Sequence, residues 1–485
     1  PGAMPARPPN VVLLYADDLG YGDLACYSAA SKIPTPHLDR LAAEGLRCTD
    51  AHSSSGICTP SRFALLTGRH HWRRFHEIVD SFGPPAFTDD DLTLAELLRR
   101  RGYATACIGK WHLGWDWRAL LKDPEARPTR GAGYAAQAFD WTRPIPGGPL
   151  ARGFEHYFGD DVPNFPPYAW IEDDRVPVAP TVAYRPDPAP PEGRHEGRPG
   201  PMVAGWRLDA VMPELTRRAV AWIEARAADD RPFFLYFPFT SPHAPIVPAA
   251  AFAGASDAGP YGDFVAQTDA TVGAVLRALD ETGLADATIV VFSSDNGPEH
   301  YAYERRRRFD HDSAGGLRGL KRDVWEGGHR VPLLVRWPGV VAPGRTSDAL
   351  VGQVDLMATL AAAVGAPLPA TAGDGVDQLP VWRGELGSVR DALVHNTYAQ
   401  KWGVRRGRWL LLTQPDGTHT KVPPWVAERE GYVADQHDVV LCDLAADPGQ
   451  RRNLCADHPD VVAELTALLR EVRERGYPER AGGAR

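Results

Sequence analysis

The chain has 485 residues, more than one hydrophobic core usually supports, so two packed units or one large unit with an appendage are expected. Its 44% apolar and 24% charged residues exclude a disordered chain, and its formal net charge of -9 argues against a nucleic-acid binder that works by neutralising phosphates. No stretch approaches the roughly 18 uninterrupted apolar residues of a membrane span. The opening PGAMPARPPN lacks the apolar centre of a signal peptide. With Met4 as the native start a cytoplasmic location is expected, and a secreted or periplasmic one if a leader has been removed. The run NVVLLYADD (10–18) ends in two carboxylates, as a buried parallel strand does when its carboxyl end opens into a crevice. The runs YATACIGK (103–110), FFLYFPFTSPH (233–243) and ATIVVFSSDNG (287–297) do the same with Lys, His and an Asp with Asn. Helical patterns lie between them, at 35–46, 92–102, 208–228 and 263–283.

Residues 115–205, rich in Pro, Gly and Arg, are expected to be long surface loops, and the run Arg305 to Arg308 a solvated loop face. Beyond about residue 375, DALVHNTY, KWGVRRGRWLLLT and VVLCDLAADP read as short strands, and PDVVAELTALLREVRERG as an amphipathic helix. The fold class expected is α/β. A large, mostly parallel central sheet flanked by helices would occupy residues 1–375, and a smaller antiparallel sheet with a C-terminal helix residues 376–485. Ligands of such sheets bind off the carboxyl ends of the strands, so the four strand ends from Asp17 to Asn296 should converge.

Asp17, Asp18, Asp295 and Asn296 form a hard-oxygen set suited to Ca2+ or Mg2+ and poorly suited to zinc or copper. DDLG and SSDNG also fit plain turns, but adjacent aspartates in a crevice need a compensating charge. The six cysteines, at 26, 48, 58, 107, 442 and 455, show no zinc spacing; Cys442 and Cys455 could pair in an oxidising environment. Cys58 stands apart, because it precedes Thr-Pro-Ser-Arg at the start of a helical run whose first amides could face an anion. Ser61 reads as a cap for that helix.

The series CTPSR (58–62) with Thr67 and Gly68, DDLGYGD (17–23), GKWHLG (109–114), SPHAP (241–245), SSDNGP (293–298), GLRGLKRDVWEGGHRVP (316–332) and CDLAADPGQRRNL (442–454) resembles the signature of the type I, formylglycine-dependent sulfatases. The likeness is to arylsulfatase-like members of the alkaline phosphatase superfamily. It implies that superfamily's fold with a C-terminal subdomain, and oxidation of Cys58 to Cα-formylglycine by a formylglycine-generating enzyme. One hydroxyl of the hydrated aldehyde would attack sulfur and displace the alcohol, and deprotonation of the other would expel sulfate. A plain thiol or serine would be left as a stable ester.

The same resemblance implies that Asp17, Asp18, Asp295 and Asn296, with residue 58 completing the set, hold a divalent cation, Ca2+ or else Mg2+. Arg62 and Lys110 would steady the formylglycine, His112 would contact the diol, and His243 and Lys321 would contact sulfate, either being able to protonate the departing oxygen. The implied substrate is a small-molecule or carbohydrate sulfate ester. Two other readings stay open: a phosphate monoester, phosphate diester or phosphonate hydrolase on this scaffold, and an anion-binding protein whose Cys58 stays unmodified. A second metal-ligand set would favour phosphate, and the sequence shows no obvious one.

Overall fold

A computed structural model describes residues 7–129, 133–185, 192, 196–433 and 436–478, so Met4 lies outside the described residues. Five parallel strands, in spatial order Thr288–Ser294, Asn10–Ala16, Phe233–Pro238, Ala104–Lys110 and His156–Asp161, form the middle of a nine-stranded sheet. Leu333–Arg336 lies antiparallel to Thr288–Ser294, followed outward by Leu46–Cys48 and Arg345–Ser347. Ile171–Glu172 closes the other edge, also antiparallel. The central strands are apolar throughout because both faces are covered. All seven residues of Asn10–Ala16 are buried: Val11, Leu13 and Tyr15 join the layer of helices Cys58–Thr67 and Leu94–Arg100, whereas Val12, Leu14 and Ala16 face helices Val211–Arg226 and Gly259–Glu281. Each such aliphatic side chain contributes roughly 1.5–3 kcal/mol.

The smaller sheet is fully antiparallel, in the order Ala392–Thr397, Lys401–Arg406, Trp409–Leu412 and Val440–Asp443. On one face Val394, Val404 and Leu411 meet Leu465, Leu468 and Val472 of helix Pro459–Arg475. On the other, Leu410, Leu412 and Cys442 pack on Val324 and Trp325 of the larger unit. Cys455 belongs to the first face and Cys442 to the second, which is why the pairing weighed for them does not form; all six thiols are free.

Two expectations are corrected. The stretch 115–205 is not all surface loop: it supplies His156–Asp161 to the large sheet and buries Trp115, Trp117 and Phe139. Gly and Asp inside that short strand hide its pattern. Nor is Arg305 to Arg308 a solvated loop, since it lies in helix Tyr301–Phe309. Arg305 is buried with its Cζ 3.3 Å from the centroid of Tyr261, and it donates to Ser313 Oγ at 2.7 Å.

Candidate active site

Four adjacent strands deliver polar side chains to one rim. Asn10–Ala16 ends in Asp17 and Asp18, Thr288–Ser294 in Asp295 and Asn296, Ala104–Lys110 in Lys110, and Phe233–Pro238 leads to His243, all of them buried. The Asp18 N–H donates to Asp295 Oδ1 at 3.1 Å and Asn296 Nδ2 donates to Asp18 Oδ1 at 2.7 Å, which joins the two aspartate-bearing turns. Lys110 follows a register shift at Ile108. There Gly109 adopts φ 129°, where a Cβ would stand 1.9 Å from the Pro238 carbonyl, so only glycine allows the twist. Lys110 Nζ then donates to Asp17 Oδ2 at 2.6 Å.

Cys58 opens helix Cys58–Thr67, which is buried along its whole length. One ligand atom from each of Asp17, Asp18, Cys58 and His243 lies within 4.8 Å of the other three. A turn later Arg62 donates to Asp295 Oδ2 from Nε at 3.1 Å and from Nη2 at 2.9 Å, so it faces a carboxylate. Ser61 does not cap the helix; its hydroxyl donates to Ser55 O at 2.9 Å and steadies the preceding loop. Lys321 Nζ reaches Asp18 Oδ1 at 2.7 Å and lies 3.6 Å from Glu299 Oε2. His243 Nε2 is 3.5 Å from Asp18 Oδ2, and its Nδ1 bonds the Ala244 carbonyl. His112 stands at the edge of the group: its carbonyl accepts Thr59 Oγ1 at 2.9 Å, and its Nε2 lies 3.0 Å from Val79 O.

Burial, then the charge of Asp17, pushes the Asp295 carboxyl up to about 6. Burial also pushes the Cys58 thiol up, outweighing Lys110 and Lys321, so the cysteine is not held as a thiolate. It takes His243 down to about 4 and His112 well below the usual imidazole range. Burial opposes charge on Asp18 and Lys321 too, but each holds the other ionised, the carboxyl low and the ammonium high. Two buried oxygens, Asp17 Oδ1 and Asn296 Oδ1, have no hydrogen-bond partner among the described residues. Leaving such atoms without a hydrogen bond costs about 1–3 kcal/mol each, and bare carboxylate and amide oxygens are the ligand type that suits a hard divalent cation.

Sequence reasoning missed what holds the loop before Cys58. Thr397, at the end of a strand of the small sheet and 341 positions away, accepts the Gly56 N–H at 3.0 Å, and the Arg322 N–H donates to Gly56 O at 2.7 Å. Asp18, His112, Asp161, Arg322 and Tyr398 all have positive φ, strain gathered around one site. A second buried group also forms: one ligand atom from each of His52, His329 and His395 lies within 4.8 Å of the others. The neighbouring acids Asp50 and Glu326 are paired with Arg405 and Arg330, and with His52 they form a further group of close ligand atoms.

Burial lowers His329 to about 4, so the folded state resists a proton that the unfolded chain accepts near 6.5. Its contribution to stability is therefore intact above about pH 6.5 and is lost as pH falls toward 4, by about 3 kcal/mol. Urea unfolding of wild type and His329→Gln across that window should show their stability difference shifting by this amount; parallel profiles would refute the assignment.

Comparison with known proteins agrees with this geometry. The Sulfatase family model matches residues 9–366. N-acetylgalactosamine-6-O-sulfatase of Bacteroides thetaiotaomicron is 33% identical, with 97% of this chain and 94% of that protein aligned. Human arylsulfatase A is 34% identical over 97% of this chain and 88% of its own length. A solved sulfatase structure, from work on glycosaminoglycan metabolism by Bacteroides thetaiotaomicron, superposes with a TM-score of 0.82 at 32% identity, covering 97% of this chain and 100% of that one. The chain belongs to the sulfatase family. It is an enzyme of the sulfuric ester hydrolase class, on the alkaline phosphatase-like fold its motifs implied.

Proposed function

We propose that the enzyme hydrolyses sulfate monoesters to an alcohol and inorganic sulfate through a formylglycine derived from Cys58, beside a Ca2+ or Mg2+ ion held by Asp17, Asp18, Asp295 and Asn296 with residue 58. The observation that carries this reading is the meeting of Cys58 with Asp17, Asp18 and His243 next to two buried oxygens that accept no hydrogen bond among the described residues. Oxidised by a formylglycine-generating enzyme and hydrated, residue 58 supplies an oxygen nucleophile and a second hydroxyl that lets the sulfated enzyme break down by elimination. The cation supplies positive charge for a sulfate oxygen and for the nucleophile.

The chain's own residues supply the rest. Asp17, Asp18 and Asp295 are matched by Arg62, Lys110 and Lys321, so a divalent cation leaves the pocket positive, as an anionic ester requires. Asp295 fixes Arg62 and Asp17 fixes Lys110, which steadies both cations behind residue 58. Lys321 and His243 both face Asp18, and in this reading they hold the sulfate, either passing a proton to the departing oxygen. The name of the Bacteroides relative favours a carbohydrate sulfate ester as substrate.

His243→Ala and Lys321→Ala are expected to lower kcat/KM by roughly 10²- to 10⁴-fold on alkyl or sugar sulfates, and far less on nitrophenyl sulfate, whose leaving group needs little protonation. Equal losses across a leaving-group series would leave these residues a binding role only. A panel of sulfate, phosphate and phosphonate esters tests the reading as a whole: sulfate esters should be turned over fastest, and preference for a phosphorus ester would contradict it.

A further inference from the structure

Away from the catalytic rim, the junction between the nucleophile helix and the C-terminal helix encloses a cleft of about 670 Å³. Four arginines line it: Arg69 and Arg73 from the chain just after helix Cys58–Thr67, and Arg470 and Arg473 from helix Pro459–Arg475. Glu474 is the one acid in its lining. In a chain whose formal net charge is -9, such a concentration of cations runs against the overall charge.

The arginines are not all spent on structure. Arg73 is held by Asp374, with Nε 2.7 Å from Oδ2, and Arg69 lies 3.6 Å from Asp91. Among the described residues no carboxylate lies within ion-pair distance of Arg470 or Arg473, and both are exposed. Two tryptophans, Trp72 and Trp402, both buried, lie behind these arginines. The Arg73 guanidinium lies 4.6 Å from the Trp72 ring and that of Arg473 4.2 Å from Trp402, which orients planar donors along an aromatic wall. Planar cations held in fixed orientation, two of them exposed and free of carboxylates, are what an anionic group on a sugar needs.

The cleft is also tied to the catalytic rim. His76 lines it, and Val79, three residues later, donates its N–H to Thr59 Oγ1 at 3.1 Å, beside Cys58, while its carbonyl lies 3.0 Å from His112 Nε2. Three residues span at most about 11 Å, so the cleft lies within an oligosaccharide's reach of the rim.

We propose that this cleft is a second binding site, which takes a sulfated sugar of the same anionic oligosaccharide whose sulfate ester is presented to Cys58. The proposal rests on the carbohydrate-sulfate reading above for the identity of its ligand, not for the cleft's own chemistry. Arg470 and Arg473 supply the charge, and Trp402 orients Arg473 from behind.

Two measurements on the full-length enzyme test it, with chondroitin 6-sulfate hexasaccharide, its desulfated counterpart and 4-nitrophenyl sulfate as probes. In calorimetric titration of Cys58→Ala protein at low salt, adding Arg470→Glu and Arg473→Glu should weaken binding of the sulfated hexasaccharide at least about tenfold, with an unchanged Tm. In otherwise wild-type enzyme the same pair should raise KM for the hexasaccharide and leave kcat/KM for 4-nitrophenyl sulfate unchanged. Equal hexasaccharide affinity with and without the two arginines overturns the proposal. So does equal binding of the sulfated and desulfated sugars, or tighter binding of a DNA duplex of matched charge. Failure of the wild type to turn over any sulfate ester would instead overturn the proposed reaction, and the titration would still decide the cleft.

Discussion

Cys58→Ala is expected to fold normally and to lose multiple-turnover sulfatase activity by on the order of 10⁴-fold or more, the scale seen when a covalent nucleophile is removed. The side chain is small and already buried at the start of its helix, so the exchange removes chemistry and little packing. Cys58→Ser is the sharper variant. Its single hydroxyl can take up sulfate once but has no second hydroxyl with which to expel it, so one equivalent of sulfated enzyme should accumulate. Intact-mass measurement after incubation with substrate distinguishes this from simple inactivity, and sustained turnover by either variant would contradict the role given to residue 58.

Removing divalent cations is the second large effect expected. Chelation should cut turnover by about 10³-fold, and Ca2+ or Mg2+ should restore it, because the ligand set is entirely oxygen and the lost charge stabilisation amounts to several kcal/mol. Asp295→Asn should weaken metal retention as well. Its carboxylate is pinned by Arg62, while burial, then the charge of Asp17, pushes it toward the neutral acid, and a bound cation would offset both. Metal analysis of the purified protein reads this directly, and full turnover by metal-free enzyme would overturn the assignment of Asp17, Asp18, Asp295 and Asn296.

How much of this was legible in the sequence depends on how local the determinants are. A parallel strand buried on both faces must be apolar along its length, so a run such as NVVLLYA that stops at Asp17 and Asp18 marks both the strand and its functional end. Four such ends could be read, and they lie side by side in the sheet. His156–Asp161 escaped because Gly159 and its two aspartates break the apolar run, although the sheet supplies the burial that its own pattern lacks. The contacts that hold the loop before Cys58 were invisible for another reason: nothing local in Thr397 shows that its hydroxyl meets Gly56. The buried imidazoles of His52, His329 and His395 likewise come from three remote segments and meet only in the fold. Arg305 was misread because charge in a run suggests water, whereas the turn of helix carries it inward against Tyr261 while Arg307 and Arg308 stay exposed.

The chemical state of residue 58 is the centre of the account, and one measurement reaches it most directly. Mass spectrometry of the peptide containing Cys58, from protein made together with a formylglycine-generating enzyme, should show the aldehyde or its hydrate, and turnover across preparations should rise in proportion to the modified fraction. Full multiple-turnover activity in protein whose Cys58 is entirely an unmodified thiol would contradict it.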